Sequence, residues 1–102
     1  MIYETTDETF YEDMEGCDTV LVDFYSPSCH PCKLLAVELD KIADAEQDIH
    51  IMKMDVGEEP EIPTELKIKA IPTLKLFKGG KPVKTVYAKG MSADKVKEWA
   101  VS

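Results

Sequence analysis

The 102-residue sequence predicts an α/β domain with a central mixed β-sheet flanked by helices. Two observations predict it. Strand-like runs alternate with helix-length amphipathic runs through the first two thirds of the chain, the pattern of parallel crossover units. The last two strand-like runs are separated only by Gly79-Gly80, which joins them as an antiparallel hairpin.

In order, Met1 to Thr6 reads as an edge strand or extended arm. Asp7 to Glu15 reads as a helix with Phe10 and Met14 on its apolar stripe, Tyr11 beside them, and Thr6 or Asp7 as N-cap. Gly16 is its stop signal. Thr19 to Tyr25 is almost continuously apolar, as suits a strand buried on both faces at the middle of a sheet. From Lys33 to about Gln47, Leu35, Leu39 and Ile42 fall on one helical face with Ala36 and Ala43 beside them. Glu38, Asp40, Lys41, Asp44 and Glu46 fall on the other, and Asp48 marks a polar turn. Pro31, which has no N–H to lose, suits the first turn of that helix. Ile49 to Val56 is a second alternating strand, and Ile62 to Leu66 a short helix. Thr73 to Lys78 and Lys81 to Lys89 flank the glycine turn, with Pro82 assigning the second of these to the sheet edge. Ser92 is an N-cap for a closing helix, Ala93 to Val101, that turns Val96, Trp99 and Ala100 inward.

A chain of this length fits one domain, residues 1–102. No apolar run approaches the roughly 20 residues of a membrane span, so no membrane partner is expected. Residues 1–8 carry neither a basic group nor an apolar core, so no secretory signal is expected. Three cysteines are too few and too odd in number for a disulfide-stapled secreted domain, and the expected compartment is cytoplasmic. Net charge is −8, from twelve lysines, no arginine and twenty acids, which argues against nucleic acid as the main partner. Residues 1–66 hold eighteen acids and three lysines, whereas residues 67–102 hold nine lysines and two acids. Those later lysines alternate with apolar residues and read as a solvated face, while the polarity remains available to steer protein partners.

The chemistry concentrates at Cys29-His30-Pro31-Cys32, between the central strand and the long helix. A C-x-x-C pair at such a junction suits redox chemistry, because free N–H groups at a helix start favour a thiolate. Half of a zinc site and two inert cysteines are the alternatives, and a second pair of zinc ligands is hard to find. Asp23 interrupts the apolar strand just upstream. Buried there, it is an acid of raised proton affinity available for proton transfer; at an exposed strand end it is inert. Cys17 reads as a bystander, or as a regulatory or dimerising thiol if exposed.

These residues carry a family resemblance. Val22-Asp23-Phe24-Tyr25 before Cys29-His30-Pro31-Cys32-Lys33, followed by Ile71-Pro72-Thr73-Leu74 and Phe77-Lys78-Gly79-Gly80, resembles thioredoxin in text, spacing and element order over nearly the whole chain. The resemblance implies the thioredoxin fold and a thiol–disulfide oxidoreductase that reduces protein disulfides. Cys29 would attack, Cys32 would resolve, Asp23 would be the buried acid behind Cys32, and Lys53 would lie close to it. Pro72 would follow a cis peptide bond and face the cysteines, and the Ile71 backbone would pair with the substrate chain. Thr73, His30 and Ser28 would complete the substrate rim, and Gly80 and Gly90 would shape the groove. It implies a monomer re-reduced by a partner reductase, usually a flavoprotein, with no cofactor because the two sulfurs carry the chemistry.

The chain departs from the family pattern at four places. Ser28 and His30 replace the usual Trp and Gly, Tyr25 replaces an earlier Trp, and Val37 replaces a kinking proline, so a straighter helix is expected. A protonated His30 would favour the Cys29 thiolate and make the pair more oxidising, which opens the alternative of an oxidase or isomerase. A further alternative is a non-catalytic adaptor or metal-binding module using Cys29, His30 and Cys32 with Cys17 or His50.

Overall fold

The computed structural model describes residues 2–45 and 49–102. Its elements are β1 (Ile2–Glu4), α1 (Phe10–Asp13), β2 (Thr19–Tyr25), α2 (His30–Ala45), β3 (His50–Asp55), α3 (Glu61–Glu65), β4 (Thr73–Lys78), β5 (Lys81–Tyr87) and α4 (Ala93–Val101). The five strands lie in the order β1-β3-β2-β4-β5. β1, β3 and β2 run parallel, and β4 and β5 are antiparallel to their neighbours. The mixed sheet with β2 at its centre is therefore as expected, and the arm at the N-terminus is an edge strand. The expected helix end at Gln47, the turn at Asp48 and the position of Glu46 lie outside the described residues.

Strand alternation divides the core into two layers. Val20, Val22 and Phe24 of β2 pack with Phe10, Met14, Met52, Met54, Ile62 and Phe77 on the face covered by α1 and α3. Leu21 packs with Leu35, Leu39, Ile42, Ile51, Leu74, Leu76, Ala88 and Val96 on the face covered by α2 and α4. Trp99 and Ala100 join this layer, as their helical spacing predicts. Phe10 anchors the first layer, with its ring centroid 5.6 Å from that of Phe77 and 6.5 Å from that of Phe24.

Two helices are capped from a distance. α1 is shorter than its sequence suggests and starts after Thr9. Asp7, expected to cap it, instead accepts hydrogen bonds from the Glu61 and Ile62 N–H groups and caps α3. The α4 start has the expected Ser92 cap, which accepts from the Lys95 N–H. It gains a second partner in Glu38 of α2, whose carboxylate accepts from the Ala93 N–H at 3.0 Å. At the other end of α4, Lys84 donates to the Ser102 carbonyl and to the Trp99 carbonyl, which also accepts from the Ser102 N–H and hydroxyl. Val37 is solvent-exposed on an uninterrupted α2. On β5 the exposed side chains include Val83 and Tyr87, because this strand is the sheet edge and a register shift opposite Leu76 and Phe77 re-phases it.

Candidate active site

β2 delivers the chain to the site, and the Ser26 hydroxyl and carbonyl shape the loop that follows. Ser28 N–H donates to the Ser26 hydroxyl, and Cys29 N–H donates to the Ser26 carbonyl at 3.2 Å. Cys29 stands just before α2, and its carbonyl accepts the Lys33 N–H. The helix thus begins three residues earlier than the sequence pattern suggested, with Pro31 in its first turn. Cys29 and Cys32 form a disulfide with their Cα atoms 5.2 Å apart. The Cys32 N–H points at the Cys29 sulfur, 3.3 Å away. Cys29 is half-buried, whereas Cys32 is only 3% exposed. A nucleophile must be reachable by its target, so the two sulfurs are not equivalent.

Asp23 is fully buried, and neither carboxylate oxygen has a hydrogen-bond partner among the described residues. It lies two residues beyond Leu21 and so shares the face covered by α2, on the side of the cysteine pair. Burial pushes its pKa from 3.8 up to about 7, against a smaller lowering by Lys53 and a small raise from Glu4. Lys53 is directly opposite Asp23 in the β2–β3 register. Its ammonium does not form an ion pair with Asp23 within 4.0 Å among the described residues; it lies over the Tyr25 ring, 4.5 Å from the centroid.

The approach loop before β4 completes the rim. The Ile71–Pro72 peptide is cis. Thr73 pairs with Phe24 in the β2–β4 register, so Ile71 and Pro72 lie just beyond the end of β2 where the cysteine loop begins. The Thr73 hydroxyl donates to the Ala70 carbonyl at 2.6 Å, and the Pro72 carbonyl accepts from Ala88 N–H at 2.8 Å, which fixes the loop from both sides. Ser28 and His30 are exposed beside Cys29.

Three expected positions fall elsewhere. Gly80 forms the β4–β5 turn, where Gly79 N–H meets the Asp18 carbonyl at the opposite end of the sheet, and it takes no part in the groove. Gly90 does lie near α2, in a cleft of about 390 Å³ with Met91, Leu34 and Val37. Cys17 is half-buried against the first core layer near Gly79 and Gly80, and His50 pairs with Val20 at the start of β2. Both stand at the far end of β2 from Cys29, so neither joins Cys29, His30 and Cys32 around a metal. Sequence reasoning missed Ser26, Glu4 and the link from Glu4 to Tyr25. Tyr25 Oη donates to the Glu4 carboxylate at 2.5 Å. Burial and then that contact hold the Tyr25 phenol well above its usual range.

A cysteine pair of unequal exposure at a helix start, with a buried acid on the same side of the sheet, defines a thiol–disulfide oxidoreductase. The chain matches the Thioredoxin family model over residues 1–102. It is 44% identical over 80 residues to thioredoxin from Alicyclobacillus acidocaldarius, covering 78% of this chain and 76% of that one. It is 41% identical over 93 residues to a bifunctional thioredoxin reductase/thioredoxin from Mycobacterium leprae, covering 88% of this chain and 20% of that one. Among solved structures, a mutant thioredoxin from Halobacterium salinarum NRC-1 superposes with a TM-score of 0.87 at 27% identity, covering 97% and 86% of the two chains. The chain belongs to the thioredoxin family.

Proposed function

We propose that the protein reduces disulfide bonds in partner proteins and is itself re-reduced by a reductase, as an electron carrier of the cytoplasm that keeps protein thiols reduced. The difference in exposure between Cys29 and Cys32 carries this reading. The Cys29 thiolate attacks one sulfur of the substrate disulfide, forming a mixed disulfide and releasing one substrate thiolate. Cys32 then gives its proton to the Asp23 carboxylate and attacks the Cys29 sulfur. The second substrate sulfur leaves, and the Cys29–Cys32 disulfide forms. Two electrons pass from the dithiol to the substrate.

An acid whose pKa lies at about 7 exchanges a proton near neutrality without a large energy gap in either direction. Lys53 tempers that acid. Ile71 offers its backbone to the substrate chain, with Pro72 and Thr73 holding the loop, while Ser28 and His30 form the exposed rim. The M. leprae relative whose name joins thioredoxin reductase to thioredoxin supports a reductase of that kind as electron donor, with a flavoprotein expected from the family resemblance. Cysteine usage, with Cys17 left as a free thiol, supports a reducing compartment.

An insulin-type disulfide-reduction assay tests this reading. Wild type is expected to turn over, Cys32→Ser to stall as a mixed disulfide through Cys29, and Cys29→Ser to do neither. Absence of turnover in wild type together with absence of trapping by Cys32→Ser overturns it.

A further inference from the structure

The strand register places Glu4 of β1 opposite Lys53 of β3, and Lys53 opposite Asp23 of β2. Each lies two residues beyond a member of the second core layer, Ile2, Ile51 or Leu21, so all three point to the face covered by α2 and α4. The row reads acid, base, acid across three strands. Leu74 continues it on β4 without a charge.

Tyr25 shares this face, two residues beyond Asp23. Its hydroxyl holds the Glu4 carboxylate at 2.5 Å, and its ring lies under the Lys53 ammonium. Asp55 is opposite Tyr25 on β3, but its Oδ1 is engaged by the Gly57 N–H at 2.9 Å and faced by the Glu58 N–H. From α2, the Cys29–Cys32 disulfide adds no charge. One ammonium is therefore shared among Glu4, Asp23 and Asp55. Glu4, the direct register neighbour of Lys53, is not in an ion pair with it within 4.0 Å among the described residues; the tyrosine holds that carboxylate instead.

We propose that Glu4 is a positioning residue for proton transfer at Asp23: Tyr25 keeps the Glu4 carboxylate off Lys53, so that the Lys53 charge still acts on Asp23. This deepens the proposed function and rests on its assignment of Asp23 as proton carrier. Two opposed effects follow. The Glu4 charge disfavours ionisation of Asp23, and the Tyr25 hydroxyl prevents Glu4 from neutralising the cation that favours it. The smaller raising of Asp23 by Glu4 and lowering by Lys53 agree with this arrangement.

Carboxyl 13C NMR of Asp23 across pH tests the proposal directly. In Glu4→Gln the amide oxygen still accepts from Tyr25 but carries no charge, so the Asp23 midpoint is expected to fall. In Tyr25→Phe, Glu4 is released to pair with Lys53, so the midpoint is expected to rise. Each shift is expected to be ~0.5 pH unit, from charges roughly two strand spacings (~10 Å) apart in a wet environment. The double variant is expected to titrate with Glu4→Gln, because position 4 then carries no charge to draw Lys53 away and Asp55 is held by the Gly57 N–H as in wild type. A merely structural role moves both single variants the same way, and that result, or no shift in either, overturns the proposal. So does a double variant that follows Tyr25→Phe. The pH profile of disulfide exchange in Asp23→Asn tests the underlying assignment separately. An unchanged profile removes the proton role of Asp23, while the NMR midpoints still report on Glu4.

Discussion

The two faces of the sheet are built by the same strands and do different work. On the face under α1 and α3, β2 contributes Val20, Val22 and Phe24 to an apolar layer closed by Phe10 and Phe77. On the face under α2 and α4, the same strand contributes Leu21, then Asp23, then Tyr25, and the apolar pattern gives way to charge toward the site. The first face supplies stability. The second gives some of it up at Asp23, a buried carboxyl with no hydrogen-bond partner among the described residues, at the end of the sheet where the cysteines stand.

The largest effect expected from breaking this contrast is on the apolar face. Phe24→Ala opens a cavity between Phe10 and the sheet and is expected to destabilise the fold by about 3–5 kcal/mol in chemical denaturation. The Asp23 titration midpoint is expected to stay in place, since the cavity lies on the other side of β2.

On the opposite face the sign reverses. Between pH 3.8 and about 7, folded Asp23 keeps a proton that the unfolded chain has released. Stability therefore falls as pH rises through that window and is level above it. Asp23→Asn stays neutral throughout. It is expected to match wild type near pH 4 and to exceed it by about 4 kcal/mol at pH 8. Denaturation midpoints at the two pH values measure this, and a variant no more stable than wild type at pH 8 refutes it.

The smallest effect lies away from both layers. Asp7→Ala removes the cap of α3 and is expected to lower stability by about 1 kcal/mol in chemical denaturation while leaving the Asp23 titration midpoint in place.

Where local pattern and tertiary structure agree, the sequence was a good guide. The Thr73–Lys78 strand and the Ala93–Val101 helix have the boundaries read from alternation, the glycine turn and the Ser92 cap. Their signals are local, between residues a few positions apart. The first helix was misread because Asp7 faces a choice of two helix starts. The one it caps is fifty-four residues further along the chain, so its N-cap signal was local but its partner was not.

By itself, then, the sequence determined the order of elements, the central position of β2, and the Cys29-His30-Pro31-Cys32 motif with the anomalous acid at Asp23. Those follow from periodicity, turn residues and residue chemistry, which act along the chain. Only the tertiary structure decided which cysteine is covered, that Gly80, Cys17 and His50 stand at the far end, that Lys53 lies on a tyrosine ring, and that Glu4 reaches Tyr25. Register and burial decide these, because they depend on which strands become neighbours and which side of the sheet each helix covers.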